Sequence, residues 1–479
     1  MRTADHGTTA DLIGDAAGDA TAGRVPAAAA EPSSRFVPRL LLITGAALVL
    51  RWAFTYFGRR NQPLGVLTDN RWYFEAGRML AHGDGFGNPL IWYSQNFRYV
   101  PTAGHPPVYP LFLGAASFLG IDTPLGARML TCVLGALTVA VVGFTARDLA
   151  GDRAGLIAAV LAAIYPNLWI NDATLLSETP YALLVSLFLL VAFRCWRRPT
   201  YGRVALLSAV IAAAALTRSE ALVLYPFCVL PLLLRLPDLS WGLRLRRLGL
   251  AALVAIVVIG PWVAYNNQPG RFAKPVAIVA GSGIAMSYGN CDAAYNGRLL
   301  GFWSWKCGLG SLPDSEDESV IDAAARNQAT SYIRSHLSEQ PKVIAARVGR
   351  LFHVYRPSQS IQFDTVLERR GLWPSRLALA LYYPITLLAI GGAVVLWRRK
   401  LPVSPYVAVT LSAIISAAST FGITRYRVAF DAAAVVLAGV AIDRLVRAWR
   451  ARSAVSEAPD ATPDVGAADA PTVAPARSS

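Results

Sequence analysis

Two acids and a tyrosine stand close together early in the chain, in the segment LTDNRWYFEAGRMLAHGDGF. Asp69 and Tyr73 are four residues apart, so on a helix they share one face. A carboxylate held in this way can take the proton of a hydroxyl nucleophile in the transition state. The segment predicts a helix over residues 70–82, capped by Gly83. Asp69 is the candidate base, and Tyr73 and Glu75 are candidate substrate-binding residues.

Each of these polar residues also has a simpler structural interpretation. Thr68 or Asp69 could accept hydrogen bonds from the first amides of the helix as an N-cap. Glu75 could be a solvated acid that faces lipid headgroups, and His105 could be a turn residue before Pro106. Capping does not exclude a functional role, because a capping carboxylate is also rigidly held.

The composition indicates that a polytopic all-α membrane protein positions these residues. The 479 residues are 54% hydrophobic and 16% charged, with a mean hydropathy of +0.41. Several apolar runs approach or exceed the ~18–20 residues that cross a bilayer core. The net charge of +15 comes largely from arginines beside these runs, which is the positive-inside pattern rather than a nucleic-acid-binding surface.

Hydropathy and charge together place about ten transmembrane helices. The candidate spans are residues 37–57, 125–146, 154–171, 175–194, 204–218, 219–235, 248–265, 373–397, 404–423 and 428–446. A further apolar run, residues 108–119, is short enough to lie at the outer face without crossing. With this count the arginine-rich segments fall on the inner side.

The spans divide the chain into five regions. These are a disordered cytoplasmic tail (1–34), an N-terminal transmembrane module (35–265) containing a catalytic outer loop (58–107, the first loop), an extracytoplasmic loop domain (266–372, the second loop), a C-terminal transmembrane module (373–449) and a disordered cytoplasmic tail (450–479). The tails are rich in small and polar residues and cannot bury a core.

The second loop has three readable features. Cys291 and Cys307 are predicted to form a disulfide, because the extracytoplasmic side is oxidising. The segment PDSEDESVIDAAARNQATSYIRSHLSEQP predicts a helix, since acids fill its first turn and a proline follows its end. The next segment, KVIAARVGRLFHVYRP, predicts a basic amphipathic stretch that contacts the outer headgroups through Lys342, Arg347 and Arg350.

Polar residues recur near the outer ends of the spans. The candidates for binding a charged substrate group are Arg59, Arg60, Arg71, His105, Glu178, Arg218, Arg425 and Arg427. Ionisable groups at membrane depth usually face a cavity or each other. The alternative is therefore structural pairing, such as Arg218 with Glu178 or Arg427 with Asp431. Asp69 and Glu75 could also supply oxygen ligands to a divalent metal ion, and the sequence leaves that cofactor open.

The segments DNRWYFEAGRMLAHGDGF, HPPVYPLFL, SETPYALL, TRSEALVL and RYRVAF together form a recognisable pattern. They resemble the GT-C glycosyltransferases that use polyprenyl-phosphate sugars, and within them the protein O-mannosyltransferases and lipid A aminoarabinose transferases, a family 39-like pattern. The resemblance implies a GT-C fold and an inverting transfer at the extracytoplasmic face of the cell membrane. It also implies that Asp69 is the acid/base residue with Tyr73 as its helical neighbour. His105 stands where some relatives have a lysine that meets the donor phosphate.

This chemistry suits the side chains. A polyprenyl phosphate leaves as an anion that needs no proton but gains from fixed cations, and arginine matches phosphate with a bidentate fork. The expected partners are a polyprenyl-phosphate-sugar donor, a glycan, lipid or protein acceptor, and membrane lipids, with no nucleic acid. The sugar could be mannose or arabinose.

Two other classes of function use the same features. A flippase or transporter could move a lipid headgroup through a charged chamber, although the sequence lacks the internal repeats of many transporters. A lipid-sugar binding subunit without transferase chemistry is the other alternative. The presence of Asp69 favours the enzyme over the binding subunit.

Overall fold

The helices are described from a computed structural model, which covers residues 35–66, 68–235, 240–308 and 312–456. Within these ranges the chain is helical and contains no β-strand, only an isolated antiparallel bridge between Gly87 and Pro101. The proposed N-terminal tail, residues 1–34, lies outside the described residues. So does the greater part of the proposed C-terminal tail.

The α-helices fall into three groups along the chain. The first group is α1 (Phe36–Arg59), α2 (Asp69–His82), α3 (Pro89–Ser94), α4 (Val108–Phe118), α5 (Pro124–Ala150), α6 (Asp152–Ile164), α7 (Pro166–Trp169), α8 (Glu178–Arg197), α9 (Tyr201–Ala215), α10 (Leu230–Leu234) and α11 (Trp241–Asn266). The second group is α12 (Ser282–Gly289), α13 (Asp292–Tyr295), α14 (Glu318–Ser335), α15 (Gln340–Leu351) and α16 (Pro357–Val366). The third group is α17 (Leu372–Arg398), α18 (Ser404–Ser419) and α19 (Val428–Ser456).

Short helical segments of other types join them. The 3-10 segments are Asn171–Ala173, Ser219–Val223, Gly297–Leu299, Trp305–Cys307, Leu337–Glu339 and Thr424–Arg427, and Tyr225–Val229 is a π-helix. Helix α19 continues through Ser456. The predicted C-terminal tail therefore begins too early, because residues 450–456 are helical.

Among the described residues, five helices are long and apolar enough to cross a membrane, namely α1, α5, α8, α11 and α17. A sixth candidate is a broken span, in which α6 and the following segment meet at 67°. Four shorter apolar helices of 10–17 residues accompany them, including α4, which is the short run predicted not to cross. Every predicted span coincides with helix. By length and composition, however, five or six of these ten helices are long and apolar enough to cross a membrane.

The break after α6 has a local cause and a long-range anchor. Tyr165 precedes Pro166, and proline drives the preceding residue out of the helical region; Tyr165 accordingly has ψ of 112°. Just beyond the break, the Asp172 carboxylate accepts a 2.8 Å hydrogen bond from Arg51 of α1, and both side chains are fully buried. Gly135 of α5 leaves the space for this pair, since a Cβ there would lie 2.1 Å from an Asp172 oxygen.

Helix α19 lies at the centre of the bundle and packs against α5, α6, α8, α17 and α18. Glycines allow its closest approaches. A Cβ on Gly392 of α17 would lie 2.0 Å from the carbonyl oxygen of Leu437, and a Cβ on Gly439 would lie 2.7 Å from Ala158. Small residues at such contacts let helix backbones meet in a membrane, where packing rather than water exclusion drives association.

The second loop is a small helical layer held by its own contacts. Helix α12 packs against α14, whose position confirms the helix predicted from the acid-rich segment. Cys291 and Cys307 form a disulfide within this layer. Asp322 of α14 accepts a hydrogen bond of 2.6 Å from the Gly283 amide at the start of α12.

The arginines of α15 do not face lipid headgroups. Arg347 and Arg350 are buried, at 1% and 0% exposure. Arg347 donates to the carbonyl oxygens of Gly289 and Ala418, and Arg350 donates to the carbonyl oxygen of Leu300. The predicted headgroup contact is wrong for these two residues, because their guanidinium groups satisfy carbonyl oxygens that end other helical segments.

Candidate functional site

Helix α2 places Asp69 at its first residue and ends at His82, with Gly83 in the left-handed conformation at φ of 87°. This confirms the predicted helix and its glycine cap. The N-cap interpretation fails, because the Thr68 side chain makes no capping hydrogen bond and its hydroxyl donates instead to the Asn70 side chain. The Asp69 carboxylate turns away from its own helix toward the C-terminal part of the chain.

Arg425 is the partner of Asp69, and it lies in the 3-10 segment between α18 and α19. Three carboxylates surround its guanidinium group. Nη2 donates to Asp69 at 2.5 Å, and Nη1 donates to Glu368 at 2.9 Å. Nε lies 3.3 Å from the Glu178 carboxylate at the start of α8. Arg425 thus joins the first loop, the second loop and the bundle.

Arg218 extends this arrangement on the other side of Glu178. It donates to Glu178 and to Glu220, each at 2.6 Å. Its guanidinium carbon also lies 5.2 Å from the centre of the Tyr426 ring. Asp69, Glu178, Glu220, Glu368, Arg218 and Arg425, together with His105, are called the acid–arginine cluster below.

His105 completes the cluster from the first loop. Its Nε2 lies 3.8 Å from an Asp69 carboxylate oxygen, and its Nδ1 is 3.2 Å from the hydroxyl of Tyr73. The imidazole also packs edge-on against Trp72, with 4.5 Å between ring centres. The helical spacing that put Asp69 and Tyr73 on one face therefore brings both to the same histidine.

The surroundings move the pKa values of the two loop carboxylates in opposite directions. Burial alone would raise the pKa of Asp69, but Arg425 and His105 outweigh it and lower the pKa from 3.8 to about 2. Burial raises the pKa of Glu368, and Arg425 only partly opposes this effect. Burial also lowers the pKa of His105. At neutral pH Asp69 is therefore ionised and His105 is predominantly neutral.

The structural pairing of Arg218 with Glu178, given as the alternative to a binding role, is present, and both residues are members of the cluster.

Arg427 also has the structural partner given as its alternative, since it donates to Asp431 at 3.2 Å. It donates as well to the Leu351 carbonyl oxygen, and its guanidinium carbon lies 3.7 Å from the Tyr382 ring centre. Arg427 is fully buried. It joins the 3-10 segment Thr424–Arg427 to the first turn of α19 and is not a member of the cluster.

Four other predicted residues also lie outside the cluster. Arg59 donates to the carbonyl oxygens of Arg369 and Arg370 and so ties the end of α1 to the second loop. The exposed Arg60, just after the end of α1, stacks on Tyr56 of that helix. Arg71 and Glu75 of α2 project away from Asp69, because each helical residue turns about 100°, and Glu75 is bound to Arg78 at 3.1 Å.

Two acids of the cluster, Glu220 and Glu368, were not predicted as site residues. Glu220 follows two positions after Arg218, so its proximity was readable from the turn between two apolar segments. Glu368 lies just before α17. Glu178 is a candidate because it is an ionisable residue at the outer end of a predicted span. The same criterion applies to Glu368.

The cluster carries more carboxylates than guanidinium groups, which would suit a cation. However, among the residues the structure describes, no group of three or more His, Cys, Asp or Glu side chains is arranged to hold a metal ion. The oxygens of Asp69, Glu178 and Glu368 converge on the Arg425 guanidinium instead. The arrangement as it stands is a group of carboxylates gathered around an arginine.

Part of the chain matches a known family. Residues 104–265 match the model of the dolichyl-phosphate-mannose-protein mannosyltransferase family. The matched segment contains His105, Glu178 and Arg218, whereas Asp69 and Arg425 lie outside it. No curated protein sequence matches the chain.

Solved structures with a similar fold include the oligosaccharyltransferase of Archaeoglobus fulgidus. Its form tethered with an acceptor peptide containing the NVT sequon has a TM-score of 0.53 and 14% identity, over 89% of this chain and 51% of that one. The apo form has a TM-score of 0.51 and 12% identity, over 88% and 52%. ArnT from Cupriavidus metallidurans bound to undecaprenyl phosphate has a TM-score of 0.38 and 15% identity, over 88% and 81%. The chain spans about half the length of the archaeal protein.

Proposed function

We propose that this chain, which has the fold of the GT-C glycosyltransferases, moves a sugar from a polyprenyl-phosphate donor to an acceptor hydroxyl at the extracytoplasmic face of the membrane. The transfer inverts the anomeric centre, and Asp69 is the base. The observation that carries the proposal is the contact between Asp69 and Arg425 inside the acid–arginine cluster. The family that residues 104–265 match is described as using dolichyl-phosphate mannose, which supports a lipid-phosphate donor.

The reaction needs one base and one anion-binding group. The acceptor oxygen attacks the anomeric carbon while the bond from that carbon to the phosphate oxygen breaks, and the bonding electrons leave with the polyprenyl phosphate. The acceptor proton passes to Asp69. A positioned general base contributes about 10²–10⁴-fold to such a step. The leaving phosphate gains from a fixed guanidinium as its charge develops.

Arg425 links these two tasks. In the structure it holds Asp69 through one nitrogen only, Nη2, while Nη1 and Nε face Glu368 and Glu178. A donor phosphate oxygen that took the place of Asp69 at Nη2 would leave Arg425 anchored by the other two carboxylates. Asp69, freed from the arginine that lowers its pKa, would then become a stronger base.

The orientation follows from the charge pattern. The cluster lies where α2, α8, α17 and α19 begin, at the opposite ends of the helices from the arginine-rich inner segments around Arg197, Arg398 and Arg447. The first and second loops are therefore assigned to the extracytoplasmic side. The proposed enzyme consists of the two transmembrane modules, residues 35–265 and 373–449, and the loop domain, residues 266–372. The donor enters from the membrane and the acceptor from the aqueous side.

Release of free polyprenyl phosphate tests the proposal. Purified protein in lipid is incubated with a panel of polyprenyl-phosphate sugars, comparing the wild type, Asp69→Asn and the control Asp84→Asn from the same loop. The expected result is release with one donor, retained in Asp84→Asn and lost in Asp69→Asn. A fully active Asp69→Asn variant would exclude the base role. Donor binding without release by the wild type would instead favour a lipid-sugar binding subunit or a flippase.

A further inference from the structure

A carboxylate from the second loop reaches into the first loop beside the cluster. Glu318, the first residue of α14, accepts hydrogen bonds from the Thr102 hydroxyl at 2.7 Å and from the Ala103 amide at 2.8 Å. It also accepts a hydrogen bond from the Asn88 side-chain amide at 3.1 Å. Three donors from the first loop thus converge on one side chain that is more than 200 positions away in sequence.

The segment that Glu318 binds leads directly into His105. Thr102 and Ala103 are each 1% exposed. Their carbonyl oxygens are also bound by residues after α11: Ala103 accepts from the Ala280 amide at 2.8 Å, and Thr102 accepts from Arg271 at 3.2 Å. The backbone two residues before the imidazole is therefore fixed on both its donor and its acceptor sides by the second loop.

The chemistry of this contact requires a carboxylate. An ionised glutamate offers two acceptor oxygens and no donor, whereas a glutamine offers one oxygen and an amide that donates. Glu318 uses Oε1 for Asn88 and Thr102 and Oε2 for Ala103. In a glutamine the amide would face either the Ala103 N–H or the pair formed by Asn88 and Thr102. The shape would be kept and at least one hydrogen bond would be lost.

We propose that Glu318 is a positioning residue, which holds the segment 102–104 so that the His105 imidazole stays against Asp69 and Tyr73. The second loop thereby sets the geometry of the reacting centre although Glu318 does not touch the substrate. This inference rests on the proposed function. Its structural half, that Glu318 fixes the approach to His105, can be tested without any transfer assay.

Hydrogen–deuterium exchange tests the structural half. Glu318→Gln is compared with Glu339→Gln. This control makes the same substitution in the same loop, where Glu339 forms an exposed ion pair with Lys342. Faster exchange of the amides of residues 102–105 in Glu318→Gln alone is expected. Unchanged exchange over these residues would overturn the inference, whether or not the protein proves to be a transferase.

Kinetics test the positioning half, at temperatures well below unfolding of each variant. In Glu318→Gln we expect kcat to fall about 10- to 100-fold, the scale of a small misplacement of a reacting group, with the donor KM changed by less than about twofold. A purely structural tether would loosen exchange and leave kcat unchanged, which would overturn the positioning role. A wild type that exchanges as expected but transfers no sugar would instead refute the proposed function.

A double-variant cycle identifies the contact itself. Thr102→Val removes one of the three donors, so it should show a weaker form of the Glu318→Gln defect. Glu318→Ala removes both acceptor oxygens and therefore also breaks the Thr102 hydrogen bond, so the combined Glu318→Ala/Thr102→Val variant should lose less kcat than the product of the two single losses. A combined loss equal to the product of the two single losses would show that Glu318 acts through some other contact.

Discussion

Asp69 and Arg425 are 356 positions apart in sequence and are joined by a hydrogen bond of 2.5 Å between Oδ2 and Nη2. The same guanidinium group is shared with Glu178 and Glu368. One arginine therefore holds the candidate base and is, in the proposed transfer, also the cation that meets the leaving phosphate.

Replacing Arg425 by lysine should strongly reduce transfer. The substitution keeps the charge, but an ammonium lacks the planar fork that contacts three carboxylates in the structure and, in the proposed transfer, a phosphate in place of Asp69. We expect the release of polyprenyl phosphate to slow by about 10²–10³-fold, as when a preorganised donor is removed from an oxyanion site. The control is Arg60→Lys at an exposed position. Wild-type rates in Arg425→Lys would contradict the assigned role.

The stability of the protein should depend on Asp69 in a defined pH window. The pKa of Asp69 is lowered from 3.8 to about 2 in the folded state. A lowered carboxyl pKa contributes stability that is present above the unfolded value and is lost as the pH falls through the folded value. The difference in thermal midpoint between the wild type and Asp69→Asn should therefore be constant from pH 7 to about 5, and should shrink between pH ~4 and ~2. A difference that grows on acidification would show that the carboxylate is not held by Arg425.

Gly135→Ala should destabilise the bundle although alanine favours helices. A Cβ at this position would lie 2.1 Å from an Asp172 oxygen and would push it away from Arg51. Breaking a buried ion pair costs about 3–5 kcal/mol. The matched control is Gly45→Ala, where no atom lies within 4 Å of the added Cβ. In detergent the thermal midpoint should fall for Gly135→Ala and stay level or rise for Gly45→Ala.

Reduction of the disulfide between Cys291 and Cys307 should destabilise the second loop. Cys291 and Cys307 close a loop with a sequence separation of 16. Closing a loop of this size contributes about 3 kcal/mol. Dithiothreitol should lower the thermal midpoint of the wild type, and the Cys291→Ser/Cys307→Ser variant should already have the lowered midpoint. A further drop of that variant on reduction would show that the effect of dithiothreitol does not come from this disulfide.

The sequence was sufficient for the fold class and for the helix of the first loop. Long apolar runs separated by charged segments located every helix that could be a span. The spacing of Asp69, Tyr73 and Gly83 identified α2 with its cap. These signals are local, because they depend on runs of apolar residues and on the conformational freedom of glycine.

The partners of the arginines could not be predicted, because they are set by tertiary packing. Arg425 and Arg427 lie in the same short motif, TRYR, and both were candidates for the phosphate. In a 3-10 helix residues two apart point in directions about 120° apart, so only Arg425 reaches Asp69 while Arg427 turns to Asp431. The basic spacing of Arg347 and Arg350 was misleading for the same reason.

The acid–arginine cluster draws its members from both ends of the chain, and this has a consequence for biosynthesis. Asp69 and Glu178 are inserted early, and Arg425 is made only when nearly the whole bundle has been synthesised. A chain that stops before Arg425 would leave these carboxylates without the guanidinium group that they share. The last part of the chain thus supplies a positive charge that offsets carboxylates inserted much earlier. An unfinished or truncated chain would differ from the mature protein by the excess negative charge at this site.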